Sequence, residues 1–170
     1  VASVLGNDDI EIVVNLTIPA AHVEVSTAAL QAGKHVWSEK PIGIDRESAK
    51  GLVGLAAERG LLLGVAPDTV LGPGWQSAKR AIQAGVIGKP LSAVTSFQSQ
   101  GPDWFHPGPE FLFAKGAGPL FDIGPYYLSA LVHLLGPISQ VIAVGHKAHE
   151  VRTIRTGPRA GTEFPVEVPT

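Results

Sequence analysis

Short apolar runs alternate with amphipathic segments over the first part of the chain. Three of these runs are predicted to be strands: Ile10–Leu16, His35–Ser38 and Leu61–Val65. The first is β-branched and nearly continuously apolar, as in a parallel strand that is covered on both faces. Two helices are predicted between these strands. The first covers Ala20–Ala32, and the second begins after the N-cap residue Asp45 and ends at Arg59. A glycine directly follows each helix and ends it. This β-α-β-α-β order predicts an α/β fold with a parallel sheet and right-handed crossovers.

The pattern changes after Ala66, where prolines and glycines mark a hinge. We therefore place a boundary between a domain of residues 1–66 and a second domain of residues 67–170. The second domain is predicted to contain two helices, from about Trp75 to Ala84 and over Pro119–Leu135. Two strands are predicted over Leu91–Gln98 and Val141–Val144. A loop rich in glycine, proline and aromatic residues spans Gln100–Gly118, and its length favours a functional or partner-facing role. The tail from Glu150 shows no obvious closing element.

Composition narrows the class of protein. Hydrophobic residues make up 45% of the 170 residues, so a core can form, and the formal net charge is only −2. Neither nucleic acid nor an anionic membrane is therefore an expected partner. The longest apolar runs, such as Leu61–Ala66, are too short to span a bilayer, and no signal peptide is visible, so we expect a cytoplasmic protein. The absence of cysteine excludes disulfides and thiolate metal sites.

Two stretches at strand ends carry candidate chemistry. Thr17-Ile18-Pro19-Ala20-Ala21-His22 joins a strand to a helix N-terminus, which favours anions, but Thr17 as a simple cap with a solvated His22 explains these residues equally well. Glu39-Lys40-Pro41 follows the second strand at the same edge. Lys40 could handle a substrate proton, Glu39 could bond a ribose hydroxyl or position Lys40, and Pro41 could lock the backbone in cis. By composition alone, an exposed ion pair in a proline turn is the favoured alternative.

Gly72-Pro73-Gly74 imitates the beginning of a G-x-G-x-x-G phosphate-binding turn. Pro73 lacks the N–H that such a turn uses, and no strand directly precedes it. A helix N-terminus is the favoured interpretation of this stretch.

The stretch IEIVVNLTIPAAHVEVSTAALQAGKHVWSEKP resembles the Gfo/Idh/MocA oxidoreductases over its whole length, including the family's A-G-K-H-V-x-x-E-K-P signature. AGVIGKP at 84–90 resembles the turn that opens the family's second domain, and GPLFDIGPY at 118–126 resembles its G-x-x-x-D-x-G-x-H segment. The resemblance implies the second half of a Rossmann-type parallel sheet, followed by part of an α+β substrate domain with an open sheet. It also implies NAD or NADP as cofactor.

The activity implied by the resemblance is hydride transfer between the nicotinamide and a sugar, cyclitol or related polyol. Redox-assisted glycoside cleavage and a non-catalytic sugar-binding or assembly subunit remain alternatives. Relatives commonly form dimers or tetramers, so a homo-oligomer is expected. Family members also begin with a strand and a G-x-G-x-x-G turn that do not precede Val1. By that analogy about sixty residues are missing, and we expect the isolated chain to be inactive and to bind a dinucleotide poorly.

Site residues carried over from the family fall into three groups. The cofactor contacts are Thr17, Pro19, His22, Glu39, Lys40 and Pro41. The catalytic residues are Lys40, Asp122 and Tyr126, where tyrosine replaces the histidine of the family segment; four residues apart, Asp122 and Tyr126 would share a helix face. Trp104 and His106 in the aromatic loop are candidate substrate contacts, with loop packing at least as good an explanation. No metal site is predicted, because His133, His146 and His149 lack ligand spacing with carboxylates.

Overall fold

The computed structural model describes residues 2–170 and shows two compact units, the first ending at Ala66 and the second beginning at Pro67. The first unit contains a three-stranded parallel sheet and the second a separate two-stranded antiparallel sheet. The predicted α/β class with a Rossmann-type parallel sheet is confirmed. Among the described residues, no helix is long and apolar enough to cross a membrane.

The first unit follows the predicted order of strands and helices. Its elements are α1 (Ala2–Leu5), β1 (Ile12–Asn15), a 3-10 turn (Pro19–Ala21), α2 (His22–Gln31), β2 (His35–Ser38), α3 (Arg46–Glu58) and β3 (Leu63–Val65). The strands lie in the order β1-β2-β3, and Asn15 is paired with Ser38, which is paired with Val65. The carboxyl ends of all three strands therefore meet at one edge of the sheet.

A small apolar core holds α2 and α3 against the sheet. Its fully or nearly fully buried members are Ala29, Leu30, Val36, Leu52 and Ala56. Helix ends follow local rules: the Asp45 side chain accepts a hydrogen bond from the Ser48 amide at 2.8 Å, and Gly33 and Gly60 take positive φ after α2 and α3. The predicted cap and the two predicted helix stops are thus present.

The second unit is mostly helix and loop. Its elements are a 3-10 turn (Thr69–Leu71), α4 (Pro73–Gln83), two further 3-10 turns (Pro102–Trp104 and Glu110–Leu112), α5 (Gly118–Asp122), α6 (Gly124–Leu135), β4 (Val151–Thr153) and β5 (Glu163–Pro165). Gly72 caps α4 and Pro73 lies in its first turn, so the Gly-Pro-Gly stretch is a helix N-terminus, as predicted. A second core is formed by Phe113, Ile154, Phe164 and Val166.

Two predicted strands of the second unit are absent. Residues 91–98 and 141–144 belong to no strand, and Leu91, Val94 and Val144 are more than nine-tenths exposed. Both segments have the alternation or apolar character of a strand, but an extended segment becomes a strand only when a neighbour completes its backbone hydrogen bonds. Within residues 2–170 neither segment has such a neighbour.

Two further predictions for this unit were wrong. The tail does contain a closing element, because β4 and β5 pair with Arg152 opposite Phe164. The helix predicted over 119–135 is two helices, α5 and α6, which meet at Ile123. Pro125 explains the break, since it lacks an N–H and its ring clashes with the carbonyl four residues earlier. Asp122 and Tyr126 therefore do not share a face of one continuous helix.

Candidate active site

The carboxyl edge of the parallel sheet carries both predicted cofactor stretches. Asn15 and Ser38 are the last residues of β1 and β2 and lie opposite each other. The turn with Thr17 and the loop with Lys40 begin directly after them. Ligands of open α/β sheets bind beyond this edge, so the fold brings the two stretches to a ligand-binding position.

Asn15 organises the turn after β1. Its side chain is buried, and its Nδ2 donates to the carbonyl of His22 and to Ser26 Oγ, each at 3.0 Å. Its Oδ1 accepts from Thr17 Oγ1 at 2.7 Å and from the Thr17 amide at 3.3 Å. Every polar atom of this side chain is thus used to fix the turn against α2. Asn15 was not among the predicted site residues, although an amide side chain inside the apolar run IEIVVNL is a signal for such a residue.

The Glu39-Lys40-Pro41 loop is held by backbone contacts. The Glu39 amide donates to the Asn15 carbonyl at 2.9 Å, and the Lys40 amide donates to Glu39 Oε2 at 3.0 Å. The peptide bond between Lys40 and Pro41 is cis, and the Pro41 carbonyl is in contact with the His22 ring. The Glu39 side chain therefore accepts from the backbone of Lys40, which supports a positioning function for Glu39, while its bond to a ribose hydroxyl stays a prediction.

His22 lies behind this edge. Its side chain is fully buried, with Nδ1 at 2.6 Å from the Pro41 carbonyl oxygen and Nε2 at 2.8 Å from the Thr17 carbonyl oxygen. Both ring nitrogens face backbone carbonyl oxygens, of which a neutral imidazole can donate to only one, so neither nitrogen is left for a nucleotide. A direct cofactor contact by His22 stays a prediction, and the burial of the ring favours an indirect function.

Thr17 and Pro19 lie closer to solvent. Thr17 is exposed, and Pro19 is half-buried at the first position of the 3-10 turn that leads into α2. The Lys40 ammonium can donate to the phosphate or hydroxyl groups of a nicotinamide nucleotide, whereas the Glu39 carboxylate can only accept from its hydroxyl groups.

The predicted substrate residues lie in the second unit, and each is half-buried or exposed. Asp122 is the last residue of α5, and Tyr126 lies in the first turn of α6. Asp122 lines a cavity of about 510 Å³, whose walls also include Phe97, Phe105, Phe113, His149 and Arg152. Within the described part of the chain, Trp104, His106 and Tyr126 do not line this cavity.

A buried ion pair organises the aromatic loop. Arg152 Nη1 lies 2.9 Å from Asp103 Oδ1, and Arg152 Nη2 donates to the Gln100 carbonyl at 2.9 Å. The guanidinium also lies 5.3 Å from the centroid of the Phe113 ring. No local pattern predicts this pair, because the partners are 49 residues apart and Arg152 lies in the tail.

Trp104 and His106 make contacts within the second unit. The Arg155 guanidinium lies 5.6 Å from the centroid of the half-exposed Trp104 ring. His106 packs edge-on against Phe111 with 5.5 Å between ring centroids, and its Nδ1 accepts from the Gly108 amide at 3.1 Å. These contacts support the loop-packing alternative for His106, while part of the Trp104 ring remains accessible.

Glu110 is the acid of this loop with a perturbed pKa. The pKa of its carboxyl is lowered below the usual 4.5. The largest cause is a hydrogen bond from its own backbone, and smaller ones are the hydrogen bond and positive charge of Arg159 and the charge of His106. Partial burial opposes this effect without reversing it. Among residues 2–170, no group of three or more His, Asp or Glu side chains is arranged to hold a metal ion.

Each of the two units matches a known family model. Residues 75–168 match the model described as the GFO/IDH/MocA C-terminal domain. Residues 1–66 match the model described as the oxidoreductase family with an NAD-binding Rossmann fold. These matches define the class as an oxidoreductase family with an NAD-binding Rossmann fold. The chain belongs to the Gfo/Idh/MocA family.

Similar proteins include enzymes that act on sugars. A dTDP-3,4-didehydro-2,6-dideoxy-alpha-D-glucose 3-reductase of Actinomadura kijaniata is 32% identical, over 93% of this chain and 47% of its own length. The levoglucosan dehydrogenase of Pseudarthrobacter phenanthrenivorans is also 32% identical, over 84% of this chain and 37% of its own length. A levoglucosan dehydrogenase structure in complex with NADH and levoglucosan superposes with a TM-score of 0.77 at 26% identity, covering 99% of this chain and 44% of that one. The chain spans about half the length of the curated relatives it matches.

Proposed function

We propose that the protein carrying this chain is an NAD(P)-dependent oxidoreductase that interconverts a CH–OH group and a carbonyl on a sugar, cyclitol or related polyol. Support comes from family membership and from relatives named as a levoglucosan dehydrogenase, a 1,5-anhydro-D-fructose reductase and a scyllo-inositol 2-dehydrogenase. One observation carries the proposal: Lys40 follows a strand at the carboxyl edge of a parallel sheet, and its amide donates to the Glu39 carboxylate. The next peptide bond, between Lys40 and Pro41, is cis.

In the proposed mechanism, Lys40 and Tyr126 handle the proton of the reacting hydroxyl. In oxidation the hydroxyl proton passes to one of these two side chains while the carbon loses its hydride, and in reduction the same side chain returns the proton to the carbonyl oxygen. Asp122 positions the reacting hydroxyl, supported by its place in the wall of the cavity, or positions Tyr126, supported by the nearness of the two residues in the chain. The nicotinamide, when bound, supplies or accepts the hydride.

The cofactor side of the proposal uses the first unit. Thr17 and Pro19 would face the nucleotide beside the 3-10 turn, while Glu39, Lys40 and Pro41 would border the nicotinamide end. Support for this assignment comes from the position of both stretches at one sheet edge and from an NADH complex among the similar structures. Trp104 is proposed as a contact for a sugar ring, since its ring is half-exposed.

The test is a spectrophotometric assay of the protein as its natural reading frame encodes it. Reduced nicotinamide should form from NAD or NADP with a panel of anhydrosugars, aldoses and inositols, and one group of substrates should dominate. Lys40→Ala is the matched control, since it removes the proposed proton-handling group, and a circular dichroism spectrum checks that the variant is folded. Turnover that needs no nicotinamide cofactor, or that Lys40→Ala leaves intact, would overturn the proposal.

The proposal includes a cytoplasmic homo-oligomer. Support for association comes from large apolar side chains of the second unit that are at least three-quarters exposed: Leu91, Val94, Val141, Ile142 and Val144. Light scattering after size-exclusion chromatography should give the mass of at least a dimer, and a monomer at micromolar concentration would contradict this part of the proposal.

A further inference from the structure

His22 connects two loops that are distant in sequence. Its ring bridges the carbonyl of Thr17, five residues earlier, and the carbonyl of Pro41, nineteen residues later. The first carbonyl lies in the turn after β1 and the second in the loop after β2. The ring is fully buried, so these two contacts are made away from competing water.

Lys40 lies between two anchored neighbours. On one side the Glu39 amide donates to the Asn15 carbonyl, and on the other side the Pro41 carbonyl is in contact with His22 Nδ1. The Lys40 amide itself is bonded to the Glu39 carboxylate. Of these anchors, only the one at Pro41 depends on a side chain from another element.

The support behind His22 is itself rigid. Asn15 Nδ2 donates to the His22 carbonyl and to Ser26 Oγ, so the first turn of α2 is tied to the end of β1. His22, Asn15 and Ser26 are all nearly or fully buried. A movement of the ring would therefore require a movement of the helix start, so the ring offers a fixed point to the carbonyl of Pro41.

We propose that His22 is a positioning residue for Lys40, acting through Pro41, and not a contact of the cofactor. This inference rests on the proposed function for the part played by Lys40 in turnover, but its structural part stands on the contacts alone. A carbonyl oxygen only accepts, so the ring must donate to Pro41 through Nδ1 for this anchor to hold. Loss of that donor should free the Lys40 segment while leaving the sheet intact.

Two substitutions separate the two nitrogens. His22→Asn places an amide NH₂ near the position of Nδ1 and so retains a donor toward Pro41. His22→Gln places its NH₂ near the position of Nε2 and so retains a donor toward Thr17 only. Both variants lose the ring, so their packing losses are similar, and a difference between them reports the anchor at Pro41.

The measurement is amide hydrogen exchange by NMR on the chain, paired with steady-state kinetics of the enzyme that carries it. In the unaltered chain the Lys40 amide should be protected. His22→Gln should speed its exchange at least tenfold and lower kcat by about tenfold to a hundredfold, the scale of a misplaced catalytic group, with little change in the KM of the cofactor. His22→Asn should stay close to the unaltered protein in both respects.

His35 supplies a matched control in the same unit. Its Nδ1 accepts from the Leu62 amide at 2.9 Å at the opposite end of β2. His35→Gln should lower the free energy of unfolding without changing Lys40 exchange or the ratio of kcat to KM for the cofactor. Circular dichroism melts of all three variants distinguish a local change from a general loss of stability.

Equal behaviour of His22→Asn and His22→Gln would overturn the proposal, and so would an unprotected Lys40 amide in the unaltered chain. The second result needs no variant, so the proposal can be refuted even if one variant folds poorly. Faster Lys40 exchange in His22→Gln with unchanged kcat would support the positioning by His22 and would instead count against Lys40 in the proposed function. The two failures are therefore distinguishable.

Discussion

The buried ion pair between Asp103 and Arg152 allows a quantitative test of how the aromatic loop is held. Only 3% of the Asp103 side chain and 21% of the Arg152 side chain are exposed. Breaking a buried pair by removing one partner costs about 3–5 kcal/mol, because the other charge remains in the interior. The observed exposures decide where in this range each substitution falls.

Asp103→Ala should lower the free energy of unfolding by about 3 kcal/mol, at the lower end of this range. The Arg152 side chain that loses its partner is 21% exposed, so water partly solvates its charge. Arg152→Ala should cost about 4 kcal/mol, because it strands a carboxylate that is almost fully buried and also removes the guanidinium from the Phe113 ring. The double variant buries no unpaired charge. Its cost should be about 4 kcal/mol, well below the sum, which gives a coupling energy of about 3 kcal/mol.

Urea unfolding measures these free energies, and the exposed pair of Lys147 and Glu150 supplies the control. Glu150 is 78% exposed, so Glu150→Ala should cost at most about 1 kcal/mol. Raising the salt concentration should weaken the pair at Glu150 more than the buried pair. Additive costs for Asp103→Ala and Arg152→Ala, or an Asp103→Ala cost no larger than that of Glu150→Ala, would refute this reasoning.

Three further predictions concern chemistry and pH. In the enzyme that carries this chain, Lys40→Arg should recover little of the roughly 10²-fold loss in kcat/KM expected for Lys40→Ala, because the guanidinium is larger and stays charged; near-normal turnover of the arginine variant would show that Lys40 acts only as a charge. Tyr126→Phe should lower kcat and leave the melting temperature almost unchanged, while Tyr126→His should retain more activity with a lower pH optimum, since free histidine titrates below free tyrosine; a fully active phenylalanine variant removes Tyr126 from the mechanism. Because the pKa of Glu110 is lower in the folded chain than its usual 4.5, its contribution to stability is present above about pH 4.5 and is lost as the pH falls through the folded value. The difference in unfolding free energy between the unaltered chain and Glu110→Gln should therefore shrink between pH 7 and about pH 3, and a constant difference would contradict this assignment.

The sequence by itself determined the features that depend on local chemistry. The β-α-β-α-β order, the cap at Asp45 and the helix beginning at Pro73 follow from hydrophobic period, side-chain oxygens near free amides and the restricted φ of proline. Even the place of Lys40 at a sheet edge was predictable. Parallel strands joined by right-handed crossovers have their carboxyl ends at one edge, whatever the details of packing.

Only the tertiary structure decided which distant groups meet. The contacts of His22 with Pro41 and of Asp103 with Arg152 join residues 19 and 49 positions apart, and no local period encodes such partners. The same reason explains why strands were predicted at 91–98 and 141–144, where there are none, and why the pair β4 and β5 was not predicted. The segment 91–98 has the right alternation but no neighbour among the described residues, whereas β4 and β5 find each other across a turn-rich stretch and bury Phe164. A strand is a property of a pair of segments, so the pattern of one segment cannot establish it.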